Sequence, residues 1–263
     1  MEPDEDVMKP RHPRQDELRA HQWIYPFELP DGETVPTIEG GRWDIIHSTR
    51  WRMMDPVLDR LFGREYGALT AIDFACNQGY YGLQLARRGC RRVMGVEVRQ
   101  SLVEQATLMA TVMGLEDRFR VLHSDIHDVR PRDHGRVDIV LVLGLLYHLE
   151  NPIGALRIAH ALTGRVCFIE TQLAPQLSGP IDWGTYRVMK TMHGCFGIID
   201  ETEEGDVPLA STRGISLVPS LEGLVWILRT IGFARVEVLP APTDGYEQHV
   251  SGKRAVIAAF RDD

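Results

Sequence analysis

Short apolar segments alternate with amphipathic segments along the middle of this 263-residue chain, and this order constrains the fold more than any other feature. Helices are predicted between the apolar segments, at residues 80–88, 101–114 and 151–162. The apolar segments predict five strands, at residues 70–75, 92–98, 119–124, 137–146 and 165–171. Such alternation is typical of a doubly wound parallel α/β sheet, and the almost wholly apolar segment 137–146 is typical of a strand buried on both faces.

The two ends of the chain depart from this alternation. Residues 1–65 predict an irregular N-terminal arm followed by a helical cap, and residues 66–263 predict the main domain. The main domain carries an insertion at about residues 173–216, here called the lid segment, which is rich in Gly, Pro, Thr and acidic residues. An insertion of this length is typical of a functional lid or a small subdomain. A helix at 219–233 and strands at 235–241 and 254–260 are predicted to complete a seven-stranded sheet.

Composition limits the class of partner. The formal net charge of −8 is unlike that of a protein that grips a long phosphate backbone. No apolar run approaches the ~20 residues needed to cross a bilayer, and the charged N-terminus does not resemble a secretory signal. The four cysteines form no CxxC pair, so we expect neither a disulfide scaffold nor a metal site, and we expect a cytoplasmic protein.

The turn after the first strand carries the sharpest functional signal. It begins at Asp73, and Ala75, Asn77 and Gly79 stand where a D-x-G-x-G-x-G pattern has glycines. Asparagine tolerates left-handed backbone geometry better than most residues, so Asn77 can replace a glycine. A turn of this kind lets a ligand approach the backbone at the carboxyl end of the sheet. The alternative interpretation is an ordinary tight turn.

Two acidic residues follow the next two strands. Glu97 ends the second strand, 24 residues after Asp73 and beside Val98, and a carboxylate there can accept both hydroxyls of a ribose. Asp125 ends the third strand and can accept from an adenine amino group, with Ile126 packed on the ring. Together with the turn, they predict a nucleoside-cofactor site. The alternatives are a solvated acid at Glu97 and a helix cap or loop acid at Asp125.

The end of the fourth strand is predicted to face the reactive end of the cofactor. It carries Leu143, Gly144, Tyr147 and His148. His148 is a candidate general base near neutral pH, and Tyr147 is a candidate for binding substrate or forming a wall of the cofactor site. The alternative for His148 is a purely structural histidine.

Further candidates come from the N-terminal cap and the lid segment. Candidate substrate-binding residues are His47, Arg50, Trp51, Trp183 and Tyr186, with Trp43 nearby. Packing within the cap and the lid segment is the alternative for these residues. His193 and His249 are alternative bases, and Glu150 and Glu170 are interpreted as a solvated acid and a strand-end acid.

These motifs, taken in order, resemble class I S-adenosylmethionine-dependent methyltransferases. IDFACNQGYYG is similar to the family's glycine-rich motif, GVEV to its ribose-binding acid, SDI to its adenine-side acid and LGLLYHLENP to its motif after the fourth strand. A closer resemblance is to the branch that contains the tRNA wobble-uridine carboxymethyltransferase. It is carried by GLLYHLENP, FIET, SLVPSLEGLVWILRTIGF and WIYPFELPDGETVPT.

The resemblance implies a Rossmann-like, mostly parallel sheet with an antiparallel last strand, and S-adenosyl-L-methionine as the cofactor. It implies methyl transfer by in-line displacement, which depends chiefly on alignment of the reacting atoms and needs no metal. The branch's enzyme holds a carboxylated form of the cofactor with a lysine among other groups. This chain has no lysine between Lys9 and Lys190, although Tyr147 keeps the branch's tyrosine, and Arg50 or Arg52 is the candidate replacement.

Three functions therefore stay open. The leading expectation is methyl transfer to an O, N or C nucleophile of a small molecule, for example in secondary metabolism. The second is tRNA wobble-uridine (carboxy)methyl transfer, and the third is a protein that binds the cofactor without catalysis. A membrane partner is not expected, and a homodimer is left open.

Overall fold

A sheet of seven strands forms the centre of the computed structural model, which describes residues 10–182, 184, 190–202 and 210–261. The strands of these ranges, in order, are β1 (Thr70–Phe74), β2 (Arg92–Glu97), β3 (Phe119–His123), β4 (Val137–Leu143), β5 (Thr163–Gln172), β6 (Gly179–Ile181), β7 (Lys190–Met192), β8 (Phe196–Asp200), β9 (Ile215–Pro219), β10 (Arg235–Val238) and β11 (Arg254–Phe260).

Helices lie between most of these strands. The α-helices are α1 (Asp44–Phe62), α2 (Tyr80–Arg87), α3 (Gln100–Val112), α4 (Pro131–His134), α5 (Pro152–Leu162), α6 (Leu221–Ile231) and α7 (Glu247–Val250). Short 3-10 helices occupy Gln15–Ala20, Ile38–Gly41, Ile126–Asp128 and Leu146–His148. None of the helices in the described ranges is both long and apolar enough to cross a bilayer.

The strand order confirms the predicted doubly wound α/β fold. The order across the sheet is β10-β11-β5-β4-β1-β2-β3, and β11 pairs antiparallel with both of its neighbours while the other pairs are parallel. The chain runs outward from β1 to β3 and then returns to place β4 on the other side of β1. Open α/β sheets bind ligands outside the carboxyl ends of the strands at such a reversal, so the fold points to the edge between β1 and β4.

Apolar side chains cover both faces of the sheet. On one face, Met54 of α1 and Phe119 of β3 belong to a core that includes Trp23 and Phe27 of the N-terminal arm. On the other face, Leu156 of α5 and side chains of α6 pack against β4 and β11. Burial on both faces explains why β4 reads as a continuous apolar run.

The N-terminal arm is tied to the turn after β1. The backbone N–H of Ile24 donates to Oε1 of Gln78 at 2.9 Å, and Nε2 of Gln78 donates to the carbonyl oxygen of Gln22 at 2.7 Å. Because Gln78 lies inside the functional turn, the arm and the turn support each other.

The described parts of the lid segment contain two antiparallel strand pairs, β6 with β7 and β8 with β9. The described parts therefore contain regular secondary structure, and both the functional lid and the small subdomain stay open as predictions. The predicted lid residues Trp183, Tyr186 and Met189 lie outside the described residues.

One local prediction is wrong. The spacing of Ser101 and Glu104 predicts a capping box at the start of the second helix, but α3 begins at Gln100 with Arg99 as its cap residue. The carboxylate of Glu97 instead accepts from the backbone N–H groups of Val98 and Arg99, each at 2.9 Å. The helix therefore begins one residue before Ser101, so Ser101 and Glu104 lie inside it, and Glu97 binds the two backbone amides that precede the helix.

Candidate active site

The turn between β1 and α2 has the backbone shape of a glycine-rich loop although it lacks two of the glycines. Ala75, Asn77 and Gly79 have φ angles of 51°, 53° and 85°. A residue with a side chain pays about 1–2 kcal/mol for left-handed geometry, and asparagine pays less than alanine. Strain of this kind concentrates at functional sites, and both Ala75 and Asn77 line the cavity described below.

Asp73, at the start of the turn, and Gly79, at its end, were predicted to bind the cofactor but do not line the cavity. Oδ2 of Asp73 accepts from the backbone N–H of Gly82 in the first turn of α2 at 3.0 Å. A carboxylate is favourable there because the amides at a helix N-terminus have no partners within the helix. Burial, opposed by the Gly82 hydrogen bond and reinforced by the charge of Glu97, raises the pKa of Asp73 to about 7.

Glu97 is held firmly at the end of β2. Its Oε2 accepts from the backbone N–H of Asn77 at 3.0 Å, and its Oε1 accepts from those of Val98 and Arg99. Glu97 and Val98 both line the cavity. The carboxylate thus joins the turn after β1 to the start of α3 and is fixed before any ligand binds.

Asp125 and Ile126, after β3, also line the cavity. Oδ1 of Asp125 accepts from the backbone N–H of His127 at 2.9 Å, and Nδ1 of His127 lies 2.9 Å from the same oxygen. Burial would raise the pKa of Asp125, but the hydrogen bonds with His127 leave it below its ordinary value. Asp125 is therefore an ionised acceptor at neutral pH.

The end of β4 supplies four lining residues, namely Leu143, Gly144, Tyr147 and His148. Gly144 has a φ of 72°, and a Cβ there would lie 3.2 Å from Nη2 of Arg50. Because of this left-handed turn, β4 ends at Leu143, three residues before the predicted end at 146. The 3-10 helix that follows carries Tyr147 and His148, which line the cavity.

His148 contacts an acid that the sequence analysis did not consider. Its Nδ1 lies 3.1 Å from each carboxylate oxygen of Glu201, and Oε2 of Glu201 accepts from the backbone N–H of Ser211 at 2.6 Å. Burial lowers the pKa of His148, and Glu201 opposes this shift. The imidazole is therefore neutral at pH 7 and is oriented by a nearly buried carboxylate.

Five polar side chains form the Glu170 cluster, which consists of Arg50, Tyr147, Glu170, His249 and Arg254. Glu170 contacts Nη2 of Arg50 at 2.8 Å and Nη1 of Arg254 at 3.0 Å, and Nη1 of Arg254 also donates to Oη of Tyr147 at 3.2 Å. Burial would raise the pKa of Glu170, but Arg50 and the other partners hold it far below its ordinary value. Two guanidinium groups thus flank one ionised carboxylate.

The other candidate bases have structural contacts. Nε2 of His249 lies 3.1 Å from Oε1 of Glu170, and His249 does not line the cavity. His193 stacks on Trp226 with ring centroids 4.7 Å apart, also away from the cavity. Glu150 is exposed as expected, and Glu170 lies near the end of β5, where it is buried within the Glu170 cluster.

The N-terminal cap contributes His47, Arg50 and Trp43 to the cavity lining. Burial and the charge of Arg50 lower the pKa of His47 to about 3, so His47 is neutral. Trp51 does not line the cavity, because it lies against the guanidinium of Arg88 at 4.8 Å from the ring centroid.

All of these groups surround a cavity of about 210 Å³ at the carboxyl edge of the sheet. Its two ends differ in charge. The β1–β3 end carries Ala75, Asn77, Glu97, Val98, Arg99, Asp125 and Ile126. The β4–β11 end carries Arg50, Gly144, Tyr147, His148 and Arg254. The lid segment covers the cavity with Ala210, Ser211 and Thr212, and Nη2 of Arg99 donates to the carbonyl oxygen of Ala210 at 2.6 Å.

Four of the site's charged or aromatic residues were not predicted from the sequence, namely Tyr25, Arg99, Glu201 and Arg254. The sequence does contain an indication of Arg254, because this residue begins the otherwise apolar strand RAVIAAF and an arginine in a buried strand is unusual. Tyr25 lines the cavity from the arm and stacks on Tyr80 at 5.1 Å. No local sequence pattern indicates Glu201, because it contacts His148 from a position 53 residues away along the chain.

Arg50 and Arg52 were the two candidates to replace the lysine of the carboxymethyltransferase branch. Arg52 pairs with Asp244 on the surface at 2.6 Å. Arg50 lines the cavity, and Arg254 joins it beside Tyr147. The β4–β11 end therefore has two cations without a lysine.

A family model described as a methyltransferase domain matches residues 72–164. Residues 72–164 form a methyltransferase domain. This match covers the turn after β1, Glu97, Asp125 and His148, and together with the fold it confirms the expectation of a class I S-adenosylmethionine-dependent methyltransferase.

Curated relatives of this chain include the tRNA U34 carboxymethyltransferase of Helicobacter pylori (strain G27), which is 22% identical over 224 residues. The match covers 81% of this chain and 70% of that relative. The same enzyme of Haemophilus influenzae (strain PittEE) is 22% identical over 207 residues, covering 76% of this chain but 54% of the relative. The chain therefore spans only part of these proteins.

Solved structures with the same fold include the N-terminal domain of EvdMO1 with SAH bound. It has a TM-score of 0.67 and 20% identity, and the match covers 96% of this chain and 98% of that domain. Magnesium protoporphyrin IX methyltransferase from Synechocystis PCC 6803, with bound SAM, has a TM-score of 0.51 and 17% identity over 82% of each chain. At these identities the likeness concerns the fold.

Proposed function

We propose that this methyltransferase transfers the methyl group of S-adenosylmethionine to a small molecule held at the β4–β11 end of the cavity. The observation that carries the proposal is the distribution of charge in the cavity. The carboxylates of Glu97 and Asp125 line one end together with Arg99, and Arg50 and Arg254 line the other end, where they share the buried carboxylate of Glu170. A nucleoside with an amino-acid tail presents hydroxyl and amino donors at one end and a carboxylate at the other, so it matches this distribution.

Each end would bind a different part of that cofactor. Glu97 would accept the ribose hydroxyls and Asp125 the adenine amino group, with Ile126 against the ring. The left-handed residues Ala75 and Asn77 bring the backbone of the turn close to the ligand. Arg50 would bind the carboxylate of the amino-acid tail, because its guanidinium lies beside the turn at Gly144 and offers paired donors.

When bound, this cofactor supplies a methyl group on a sulfonium leaving group, which needs no further activation. The chain's contribution is then to align the acceptor with that methyl group and to exclude water. Tyr147 and His148 lie at the end of β4, where the acceptor would approach, and Ala210, Ser211 and Thr212 cover the cavity.

A small-molecule acceptor has more support than tRNA. The lid segment lies over the cavity, and the net charge of −8 opposes binding to a long polyanion. Another structure of the EvdMO1 domain, at a TM-score of 0.64, was obtained in the presence of SAH and D-fucose. That neighbour makes hydroxylated sugars the first acceptors to test.

Two measurements test the proposal. Calorimetric titration with S-adenosylmethionine and S-adenosylhomocysteine should give micromolar-range binding, and mass spectrometry should find a gain of one methyl group in a mixture of candidate acceptors that includes D-fucose. Absence of cofactor binding would contradict the proposal. Tight cofactor binding with no methylated product would instead favour the non-catalytic binding protein.

Transfer of a carboxymethyl group is a second candidate, and the arginines favour it. Arg254 donates to Tyr147, the residue that matches the branch's tyrosine, and this pair could bind an additional carboxylate on the cofactor. Mass spectrometry of small molecules released from freshly purified protein separates the two candidates. Recovery of the carboxylated cofactor would support carboxymethyl transfer, and recovery of S-adenosylmethionine or its product would support methyl transfer.

A further inference from the structure

We propose that the acceptor group is a hydroxyl and that its proton passes to His148, which Glu201 holds in position. This inference rests on the proposed methyl transfer and deepens it by naming the class of nucleophile. Glu201 is a positioning residue in this proposal, because it touches His148 and does not line the cavity.

The geometry gives the two ring nitrogens of His148 different surroundings. Nδ1 lies 3.1 Å from both oxygens of Glu201, so an ionised carboxylate there favours the tautomer with a proton on Nδ1. Nε2 has no hydrogen-bond partner within the part of the chain that the structure describes, and the ring lines the cavity. Nε2 is therefore the nitrogen that can accept a proton from a bound molecule.

Glu201 is itself fixed from two sides. Its backbone N–H donates to the carbonyl oxygen of Gly214 at 2.7 Å, and its side chain accepts from the backbone N–H of Ser211 at 2.6 Å. The side chain of Glu201 is 10% exposed, against 20% for His148. A nearly buried carboxylate with a backbone donor and an imidazole partner holds the ring in one orientation, as the third member of a nucleophile–base–orienter arrangement does.

Charged groups from several elements face His148. Glu201 comes from the segment after β8, Arg254 from β11 and Arg99 from the segment after β2, and Tyr147 packs against the ring at 4.2 Å. The two arginines disfavour an imidazolium, whereas Glu201 favours it. Without Glu201, no carboxylate would contact the imidazole while Arg254 and Arg99 still disfavour its cation, so Glu201 keeps the imidazole basic enough to take a proton.

A neutral imidazole that can accept a proton from the cavity is needed when the acceptor group is a hydroxyl. An amine attacks through its free lone pair and can lose a proton after transfer, whereas a neutral hydroxyl is a weak nucleophile until its proton begins to leave. In the proposed step, the acceptor oxygen forms its bond to the methyl carbon as the carbon–sulfur bond breaks and leaves its electron pair on sulfur. The hydroxyl proton passes to Nε2 of His148 and is then released to solvent.

Nitrogen NMR of the full chain labelled at its histidines tests the positioning role without any acceptor. The His148→Gln variant assigns the signal among the ten histidines. In the wild type we expect a proton on Nδ1, a bare Nε2 and a pKa of His148 below its ordinary value. Glu201→Gln should lower that pKa further and weaken the tautomer preference, and Glu201→Asp should restore both in part.

Two results would overturn the assignment. The first is a wild-type imidazole with its proton on Nε2, which could not accept from the cavity. The second is a Glu201→Gln variant that keeps the tautomer and the pKa of the wild type. The affinity of the Glu201 variants for S-adenosylhomocysteine should stay within about twofold of that of the wild type. If the wild type itself did not bind S-adenosylhomocysteine, that result would count against the proposed function rather than against the role of Glu201.

A mixture of acceptor probes tests the hydroxyl assignment. It contains D-fucose, simple phenols and amines of similar size, incubated with S-adenosylmethionine and analysed by mass spectrometry. Methyl groups on hydroxyl oxygens support the proposal, and His148→Gln should then lower turnover about 10²-fold or more. Methyl groups on amines alone would overturn the hydroxyl assignment and leave the proposed function standing.

Discussion

The two ends of the cavity are built in different ways. At the β1–β3 end, Asn77, Glu97 and Asp125 each lie within three residues of the end of a strand, and backbone N–H groups bind both carboxylates. At the β4–β11 end, Tyr147 and His148 meet Arg254 and Glu201, which lie 107 and 53 residues away along the chain. The residues of the first end are therefore positioned by the ends of the strands, and those of the second end are brought together by the tertiary fold.

This difference separates a general function from a specific one. Groups fixed by strand ends recur wherever the fold recurs, so the β1–β3 end suits the cofactor that a whole class shares. Groups that come from the lid segment, α1 and β11 are not fixed by the ends of the parallel strands, so they are freer to differ among proteins of the same fold. The β4–β11 end is therefore the region in which the acceptor would be selected.

The largest effect is expected from Glu170→Gln, at the β4–β11 end. Glu170 is fully buried between Arg50 and Arg254, and its loss leaves two buried guanidinium groups without a compensating charge. Breaking a buried pair in this way costs about 3–5 kcal/mol. Urea unfolding followed by circular dichroism should show a loss of this size.

The matched control for that variant is Glu237→Gln on β10. Glu237 pairs with Arg60 at 2.9 Å, but its side chain is 29% exposed and that of Arg60 is 52% exposed. A surface pair contributes about 0–1 kcal/mol, so this control should unfold almost as the wild type does. Equal losses for the two variants would mean that the Glu170 cluster has no special place in the fold.

The second prediction concerns Glu97→Gln at the β1–β3 end. One neutral amide would replace a carboxylate that is proposed to accept two ribose hydroxyls, and we expect the affinity for S-adenosylhomocysteine to fall about 10²-fold, or about 2.7 kcal/mol. Calorimetric titration measures the change. The exposed Glu104→Gln on α3 is the control, and an unchanged affinity for Glu97→Gln would remove Glu97 from the cofactor site.

The same contrast explains what sequence alone could predict. The strand ends and the positions of Glu97, Asp125, Tyr147 and His148 follow from local pattern, because a strand end in this topology has one place in the fold. Contacts between distant segments leave no such pattern, so Glu201 could not be predicted. The capping box predicted at Ser101 is wrong because α3 begins one residue before Ser101, and the backbone amides just before the helix bind the carboxylate of Glu97.

Asp73→Asn gives a smaller effect that depends on pH. The pKa of Asp73 is about 7 in the folded protein and near 4 in the unfolded chain, so the folded state retains a proton that the unfolded chain releases between these values. The stability that this proton confers is complete below pH 4 and is lost as the pH rises through 7. Relative to the wild type, the variant should therefore gain about 1–3 kcal/mol between pH 4.5 and pH 8.

Urea unfolding at several pH values measures this gain. The amide oxygen of the substituted side chain could still accept from the backbone N–H of Gly82, and any constant cost of the substitution cancels when the two proteins are compared across pH. A difference in unfolding free energy that does not change with pH would show that Asp73 titrates normally at the start of the turn.

The smallest expected effect tests the turn itself. Ala75 pays about 1–2 kcal/mol for its φ of 51°, and glycine at this position would avoid that cost while adding about 0.4–1 kcal/mol of entropy to the unfolded chain. Ala75→Gly should therefore stabilise the protein by up to about 1 kcal/mol, measured as a rise in Tm. Gly67→Ala, which meets no atom within 4 Å and has no left-handed backbone, is the control for the unfolded-state contribution. A clear fall in Tm for Ala75→Gly would mean that the methyl group of Ala75 contributes packing at the cavity wall that exceeds the backbone strain.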